Sequence, residues 1–188
     1  MPPGFHRQTA SAARVLFAAL LLWLTPGWGA PAPSEYHLKA VYLFNFGQFV
    51  EWPASAFESP DNPFVLCIAG QNPFGTILDE VISGESVNGR AFTLKHVDDP
   101  ARSGDCNIMF IGRNEAARLA PTVQALRGRS VLTVSDIDGA ERQGVVITLF
   151  NERNRIRMRI NLAAAKASNL VISSKLLRPA EIVGGEGN

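Results

Sequence analysis

Histidine and cysteine are scarce in this sequence of 188 residues, which contains 3 His and 2 Cys. His6, His37 and His96 lie far apart, so no two histidines have the spacing of metal ligands. Two thiols alone are also too few for structural zinc. The sequence has neither a Gly-x-Ser-x-Gly nucleophile motif nor a complete P-loop. An enzymatic function therefore has no positive support, and we predict a protein that is not an enzyme and needs no cofactor.

The sequence also lacks an apolar run long enough to cross a membrane. The apolar run at residues 15–24 has about half of the ~20 residues that a membrane-spanning helix needs. It follows Arg7 and Arg14 and precedes small residues around Gly29, an order typical of a cleavable signal peptide. We predict that residues 1–29 are this signal and that the protein is exported. An uncleaved N-terminal anchor is the alternative, whereas lipidation is disfavoured because no Cys lies near the cleavage region.

An excess of charge of one sign is absent as well. The formal net charge of the whole sequence is +1, and loss of residues 1–29 removes two Arg and no acid, which gives 1 − 2 = −1. A nearly neutral protein has no basic surface to attract phosphates, so we expect no nucleic-acid partner.

The two cysteines, Cys67 and Cys106, have two interpretations. An exported chain meets an oxidising compartment, which favours a disulfide between them. Two separately buried free thiols are the alternative, because cysteine is among the most buried residue types.

Apolar segments alternate with helical patterns through most of the chain. A helix is predicted from Ser34 and Glu35 to the stop at Pro53. Buried strands are predicted at residues 64–70, 106–112 and 131–134, and a half-buried strand at 91–97. Repeated strand, loop and helix segments indicate a parallel sheet flanked by helices.

The pattern changes near the C-terminus. Residues 145–150 and 155–160 flank a short polar turn and predict an antiparallel hairpin. Three arginines alternate with apolar residues in its second strand, which indicates a solvated face or, as the alternative, an anion site: Arg155, Arg157 and Arg159. A short strand and a helical turn, complicated by Pro179, are predicted to follow.

The predicted fold is therefore α/β, with a mixed, mostly parallel sheet flanked by helices in Rossmann-like layering and a C-terminal antiparallel hairpin. We predict one domain at residues 35–183, preceded by a Pro-rich lead-in at 30–34 and followed by a flexible tail at 184–188.

Two groups of residues are candidates for binding. Gly70, Gly112 and Asp136 follow strands that we expect to end at one edge of the sheet, where open α/β folds bind ligands. Together with Gly75 they form a candidate ligand crevice, although glycine and aspartate at these places are also explained by turns. Aromatic residues are concentrated in the first helix, where they fit either a partner-binding surface or core packing: Tyr42, Phe44, Phe46, Phe49 and Trp52.

Two long motifs resemble the opening and closing signatures of the YfiR/HmsC family. They are EYHLKAVYLFNFGQFVEWP at residues 35–53 and INLAAAKASNLVISSKLLR at 160–178. Between them, in the family's order, lie NPFG at 72–75, VNGR at 87–90, CNIMFIG at 106–112 and VLTVSD at 131–136. The resemblance covers nearly all of the chain after the predicted signal.

The resemblance implies a periplasmic regulator that binds and inhibits the periplasmic sensor region of a membrane diguanylate cyclase, and so lowers cyclic di-GMP and biofilm formation. It also implies an outer-membrane lipoprotein as a second partner, and dimerisation of the chain. Cys67 and Cys106 match the positions of the family's stabilising disulfide, and a second Cys pair of some members is absent. A small-ligand-binding sensor that uses the carboxyl edge of the sheet is the alternative function.

Overall fold

The computed structural model describes residues 34–100 and 104–185, which all belong to one compact unit. The predicted signal at 1–29, residues 30–33 of the lead-in and residues 186–188 of the tail lie outside the described residues. Their assignments therefore stay predictions.

The described helices are short except for the first. They are α1 (Glu35–Phe49), α2 (Ile77–Ile82), α3 (Leu119–Leu126), α4 (Leu162–Ala167) and α5 (Ser174–Leu177), with 3₁₀ turns at Ala54–Ala56, Arg113–Arg118 and Ala140–Gln143. Side-chain oxygens of Ser34, Asn161 and Ser173 accept hydrogen bonds from backbone N–H groups at the starts of α1, α4 and α5. These caps satisfy donors that a helix leaves free in its first turn.

The described residues also form ten strands. They are β1 (Val50–Glu51), β2 (Phe64–Ala69), β3 (Ser86–Val87), β4 (Arg90–Val97), β5 (Ile108–Ile111), β6 (Leu132–Ser135), β7 (Ile147–Glu152), β8 (Arg155–Asn161), β9 (Val171–Ile172) and β10 (Glu181–Val183). Eight of them form one sheet in the order β10-β8-β7-β6-β5-β2-β4-β3, while β1 and β9 pair separately.

The main sheet is mostly parallel, which confirms the predicted fold class. Strands β4, β2, β5, β6 and β7 are parallel neighbours, and β7 pairs with β8 in the predicted antiparallel hairpin. Arg153 and Asn154 connect β7 to β8 with φ angles of 52° and 61°. Positive φ at both positions of a two-residue loop is the geometry of a type I′ turn, whose twist suits the paired strands.

Apolar side chains cover both faces of the sheet. One face packs against α1, α2, α4 and α5, and Phe46 of α1 is fully buried together with Phe64 and Phe110 of the sheet. The other face, which contains Cys67 and Met109, packs against Leu126 of α3. Helices on both sides of a mostly parallel sheet match the expected layering.

Two predicted elements differ from the structure. Helix α1 ends at Phe49, short of Pro53, because Val50 and Glu51 are extended and pair with β9. After Pro179 the chain forms strand β10, parallel to β8, where only a helical turn was predicted. Proline lacks a backbone N–H and so favours the end of a helix, and a short edge strand needs few partners.

Candidate functional site

The carboxyl edge of the parallel strands brings together three of the predicted crevice residues. Ala69, Ile111 and Ser135 end neighbouring strands in the same register. Gly70, Gly112 and Asp136 therefore follow one another along this edge.

The two glycines of the crevice that have positive φ differ in their surroundings. Gly70 has a φ of +68°, and a Cβ there would overlap the side chain of Glu115. Gly75 has a φ of +59°, but no atom lies within 4 Å of the place of a Cβ. Positive φ favours glycine at both positions, and at Gly70 a Cβ would also force the flexible end of the Glu115 side chain to move.

Asp136 is buried and forms an ion pair with a lysine from the first helix. The Nζ atom of Lys39 lies 2.6 Å from Oδ2 of Asp136, and both side chains are 0% exposed. Lys39 faces inward because it lies on the same side of α1 as Leu43 and Phe46, four and seven residues further along. Removing either charge would leave the other buried without its main partner.

A second pair of charges surrounds this ion pair. Glu35 Oε1 accepts from Lys39 Nζ at 2.5 Å and from Arg113 Nη2 at 2.9 Å. Arg113 also donates from Nε to the backbone oxygen of Asp136 at 3.2 Å. Hydrogen bonding from Lys39, ahead of its charge and that of Arg113, lowers the pKa of Glu35 from its ordinary value of 4.5.

Tyr36 completes the cluster. Its hydroxyl donates to Oδ2 of Asp136 at 3.3 Å, and its ring lies 4.5 Å from Lys39 Nζ. Burial raises the pKa of Tyr36 above its ordinary value of 10.0, and the charge of Asp136 adds to the effect. The phenol is thus held in its neutral, hydrogen-bond-donating form. We call Glu35, Tyr36, Lys39, Arg113 and Asp136 the sheet-edge cluster.

An open pocket of about 450 Å³ adjoins this cluster. It is lined by Arg113, Asp136, Ile137, Asp138, Phe150 and Asn151. Asp136 is thus the one predicted crevice residue among the lining residues, while Gly70, Gly75 and Gly112 do not line this pocket.

Cys67 and Cys106 form a disulfide, with their Cα atoms 5.8 Å apart. Both cysteines are buried, at 0% and 3% exposure, on the sheet face that packs against α3. Because Cys67 lies in β2 and Cys106 just precedes β5, the bridge connects a central strand to the segment that leads into its neighbour.

A family model described as YfiR/HmsC-like matches residues 36–181. The chain belongs to the YfiR/HmsC-like family. No curated protein matches the chain. Family membership supports a periplasmic regulator of diguanylate cyclase signalling. It favours a regulatory function over an enzymatic one.

Two other kinds of feature are absent from the described ranges. None of the helices there combines the length and apolar character needed to span a bilayer. Residues 34–100 and 104–185 also contain no group of three or more His, Cys, Asp or Glu side chains placed to hold a metal ion.

The aromatic residues proposed as partner contacts are divided between core and surface. Phe46 is 0% exposed, so its role in this conformation is core packing. We therefore exclude it from the proposed contact surface. Phe44 packs against Phe92, with ring centroids 5.9 Å apart, and is partly buried. Partly buried Trp52 packs edge-on against Phe64 at 4.9 Å and donates from Nε1 to the backbone oxygen of Asn107.

Of the four proposed contact residues, Phe49 is the one least engaged in core packing, ring contacts and hydrogen bonds. Its ring is partly buried, and Lys175 Nζ lies 5.3 Å from the ring centroid. It therefore remains the strongest candidate for a partner contact.

Two of the three hairpin arginines are paired with acidic side chains. Arg159 Nε lies 2.9 Å from Glu181, and Arg157 Nη1 lies 3.5 Å from Glu152. Charge compensation of this kind favours a solvated face over an anion site.

Sequence reasoning missed four members of the sheet-edge cluster: Glu35, Tyr36, Lys39 and Arg113. The available signal was Lys39, a charged residue at an otherwise apolar position of α1, with Glu35 one turn before it. A charge on a buried helix face needs a partner, and Asp136 was already expected to lie at the sheet edge.

Proposed function

We propose that this chain binds the periplasmic sensor region of a membrane diguanylate cyclase and inhibits the cyclase, which lowers cyclic di-GMP and biofilm formation. The observation that carries the proposal is the family match over residues 36–181, which covers nearly all of the described chain. The charged groups of the sheet-edge cluster pair with one another and form no arrangement of nucleophile and base. This agrees with a protein that regulates by binding.

The proposed contact surface lies on and just after α1. It consists of Phe44, Phe49 and Trp52, which are partly buried and retain some exposed ring surface. Aromatic side chains that are partly exposed and held in place by neighbours are typical of the residues that dominate binding energy.

Deletion of the gene tests the regulatory effect. We expect cellular cyclic di-GMP and surface attachment to rise, and expression of the chain from a plasmid to restore both. The proposed direction of regulation is wrong if cyclic di-GMP is unchanged or falls.

Binding is tested by capture with the purified periplasmic region of a diguanylate cyclase encoded beside this chain. Phe49→Ala should weaken capture about tenfold or more, as expected for a central aromatic contact. Phe57→Ala is the matched control, because Phe57 is also a partly buried ring beneath a cation, with Arg90 at 3.9 Å. Equal loss in both variants would indicate general destabilisation, and no loss in either would remove Phe49 from the contact surface.

Two further partners belong to the same proposal. An outer-membrane lipoprotein would relieve the inhibition by sequestering the chain, and two copies of the chain would associate as a homodimer. Addition of the purified lipoprotein should release the captured cyclase region. Sedimentation of the exported chain at increasing concentration should reveal the dimer, and a constant monomer mass would contradict it.

A further inference from the structure

Glu141 is a buried carboxylate that has no partner in the described part of the chain. The residue is 5% exposed. Its Oε2 atom is fully enclosed and accepts no hydrogen bond. Oε1 also has no hydrogen-bond or ion-pair partner among the described residues, but it keeps some accessible surface. Because buried charges in proteins are almost always paired and hydrogen-bonded, a partner from outside the chain is expected.

An open pocket of about 700 Å³ gives access to this carboxylate. Four of its lining residues are charged: Asp138, Glu141, Arg142 and Arg159. Since Glu141 lines the pocket and is otherwise enclosed, Oε1 is the part of its carboxylate that a ligand can reach. The volume falls in the range of small-molecule sites, roughly 300–1,000 Å³. No residue of the predicted ligand crevice lines this pocket, so it is a separate candidate site.

One arginine of the pocket is divided between two acids. Arg159 Nε lies 2.9 Å from Glu181, and Nη1 of the same side chain lies 3.6 Å from Asp138. Asp138 is 90% exposed and has no other ion pair among the described residues. The single charge of Arg159 therefore balances only one of these two carboxylates.

The second arginine does not neutralise Glu141. The guanidinium of Arg142 lies over Gly139, where it would overlap a Cβ atom. It forms no ion pair with Glu141, because side chains of consecutive residues in a helical turn do not face each other. Even when both arginines are counted in full, three carboxylates in and beside the pocket face two guanidinium groups. One negative charge is thus left uncompensated.

These charges indicate a cation that donates hydrogen bonds. A divalent metal ion needs more protein ligands than two carboxylates, and residues 34–100 and 104–185 contain no group of three or more side chains placed to hold one. Oε1 of Glu141 accepts a hydrogen bond from an N–H donor, which a primary ammonium has and a quaternary ammonium lacks. Asp138, exposed in the same pocket, can pair with a second ammonium.

We propose that this pocket binds an aliphatic diamine. One ammonium group donates to Oε1 of Glu141, the other pairs with Asp138, and the carbon chain between them lies against Val183. The proposal is independent of the cyclase partner, since it concerns the isolated chain.

The test is a titration of the ¹⁵N-labelled exported chain with 1,4-diaminobutane, followed by amide NMR at low salt, because salt screens exposed charges. The amide signals of Gly139, Glu141 and Gly184 should shift in a saturable way. Asp138→Asn should weaken this binding about tenfold, and a substitution at this exposed position should leave folding intact. Asp61→Asn is the matched control, because Asp61 is an exposed aspartate outside the pocket and should leave the affinity unchanged.

Glu141→Gln distinguishes a ligand-binding role from a structural one. It should reduce the affinity about tenfold or more, while the melting temperature of the ligand-free chain stays equal or rises, because an unpaired buried charge is removed. A clear fall in melting temperature would show that Glu141 has a partner within the protein, which contradicts the proposal.

1,4-Butanediol, the neutral counterpart of the diamine, tests the charge argument. If the diol binds as tightly as the diamine, the argument is refuted. The proposal is also wrong if the diamine shifts none of the three amide signals, which would mean that water alone satisfies Glu141. Unchanged affinity in both Asp138→Asn and Glu141→Gln would place the site elsewhere and reject it too.

Discussion

Replacement of Lys39 by methionine tests how strongly the buried ion pair holds α1 on the sheet. Methionine keeps most of the length and apolar volume of lysine and removes its charge. In the variant, Asp136 remains buried with the hydroxyl of Tyr36 at 3.3 Å and the Arg113 Nε at 3.7 Å as its nearest donors. Breaking a buried pair by removing one partner costs about 3–5 kcal/mol.

We expect the lower end of this range, about 3 kcal/mol, because Arg113 still compensates part of the Asp136 charge. For a domain of this size the loss corresponds to a fall in melting temperature of roughly 6–12 °C. The measurement is urea denaturation of the wild type and the variant at neutral pH, supported by thermal melting.

Lys95→Met is the matched control. Lys95 pairs with Asp105 at 2.9 Å, but the two side chains are 48% and 56% exposed. An exposed pair of this kind contributes about 0–1 kcal/mol. If Lys39→Met costs no more than Lys95→Met, the burial argument is refuted. Adding Asp136→Asn to Lys39→Met should recover part of the lost stability, because it removes the uncompensated charge.

Three other predictions concern stability. Reduction of the Cys67–Cys106 bridge, or Cys67→Ser, should cost about 4 kcal/mol for a loop of this length, and an unchanged melting temperature would contradict it. The lowered pKa of Glu35 stabilises the fold above its unfolded value of 4.5, and this contribution is lost as pH falls through the folded pKa. The stability gap between the wild type and Glu35→Gln should therefore close on acidification in pH-dependent melting, and a constant gap would exclude this role. Gly70→Ala should destabilise more than Gly75→Ala in denaturant titrations, because only the former adds a steric overlap to the cost of positive φ.

The central strands and the hairpin were predictable because their sequence signals are local. Strand β5 is a continuous apolar run, and β8 alternates apolar and charged residues with a period of two. The order of elements then limited the topology to a parallel sheet with an antiparallel end.

The remaining features depend on contacts between distant residues. Strand β10 has only three residues, and its extended form is set by pairing with β8. Helix α1 ends early because β9, more than a hundred residues later, pairs with Val50 and Glu51. Lysine is normally a surface residue, so sequence pattern alone did not associate Lys39 with Asp136.

The position of Asp136 along the chain also determines when the first helix can reach its final place. Lys39 and Asp136 are separated by 97 residues, and a polypeptide is synthesised from its N-terminus. The helix thus emerges with Lys39 on its apolar side, and with Glu35 as a partner one turn away, long before the buried carboxylate of Asp136 exists. Until β6 has been made and paired, seating this helix would bury the Lys39 ammonium without its fully buried partner, and only Glu35 of the same helix would compensate it. We therefore expect this helix to dock after most of the sheet is present, so that the N-terminal layer closes late in folding.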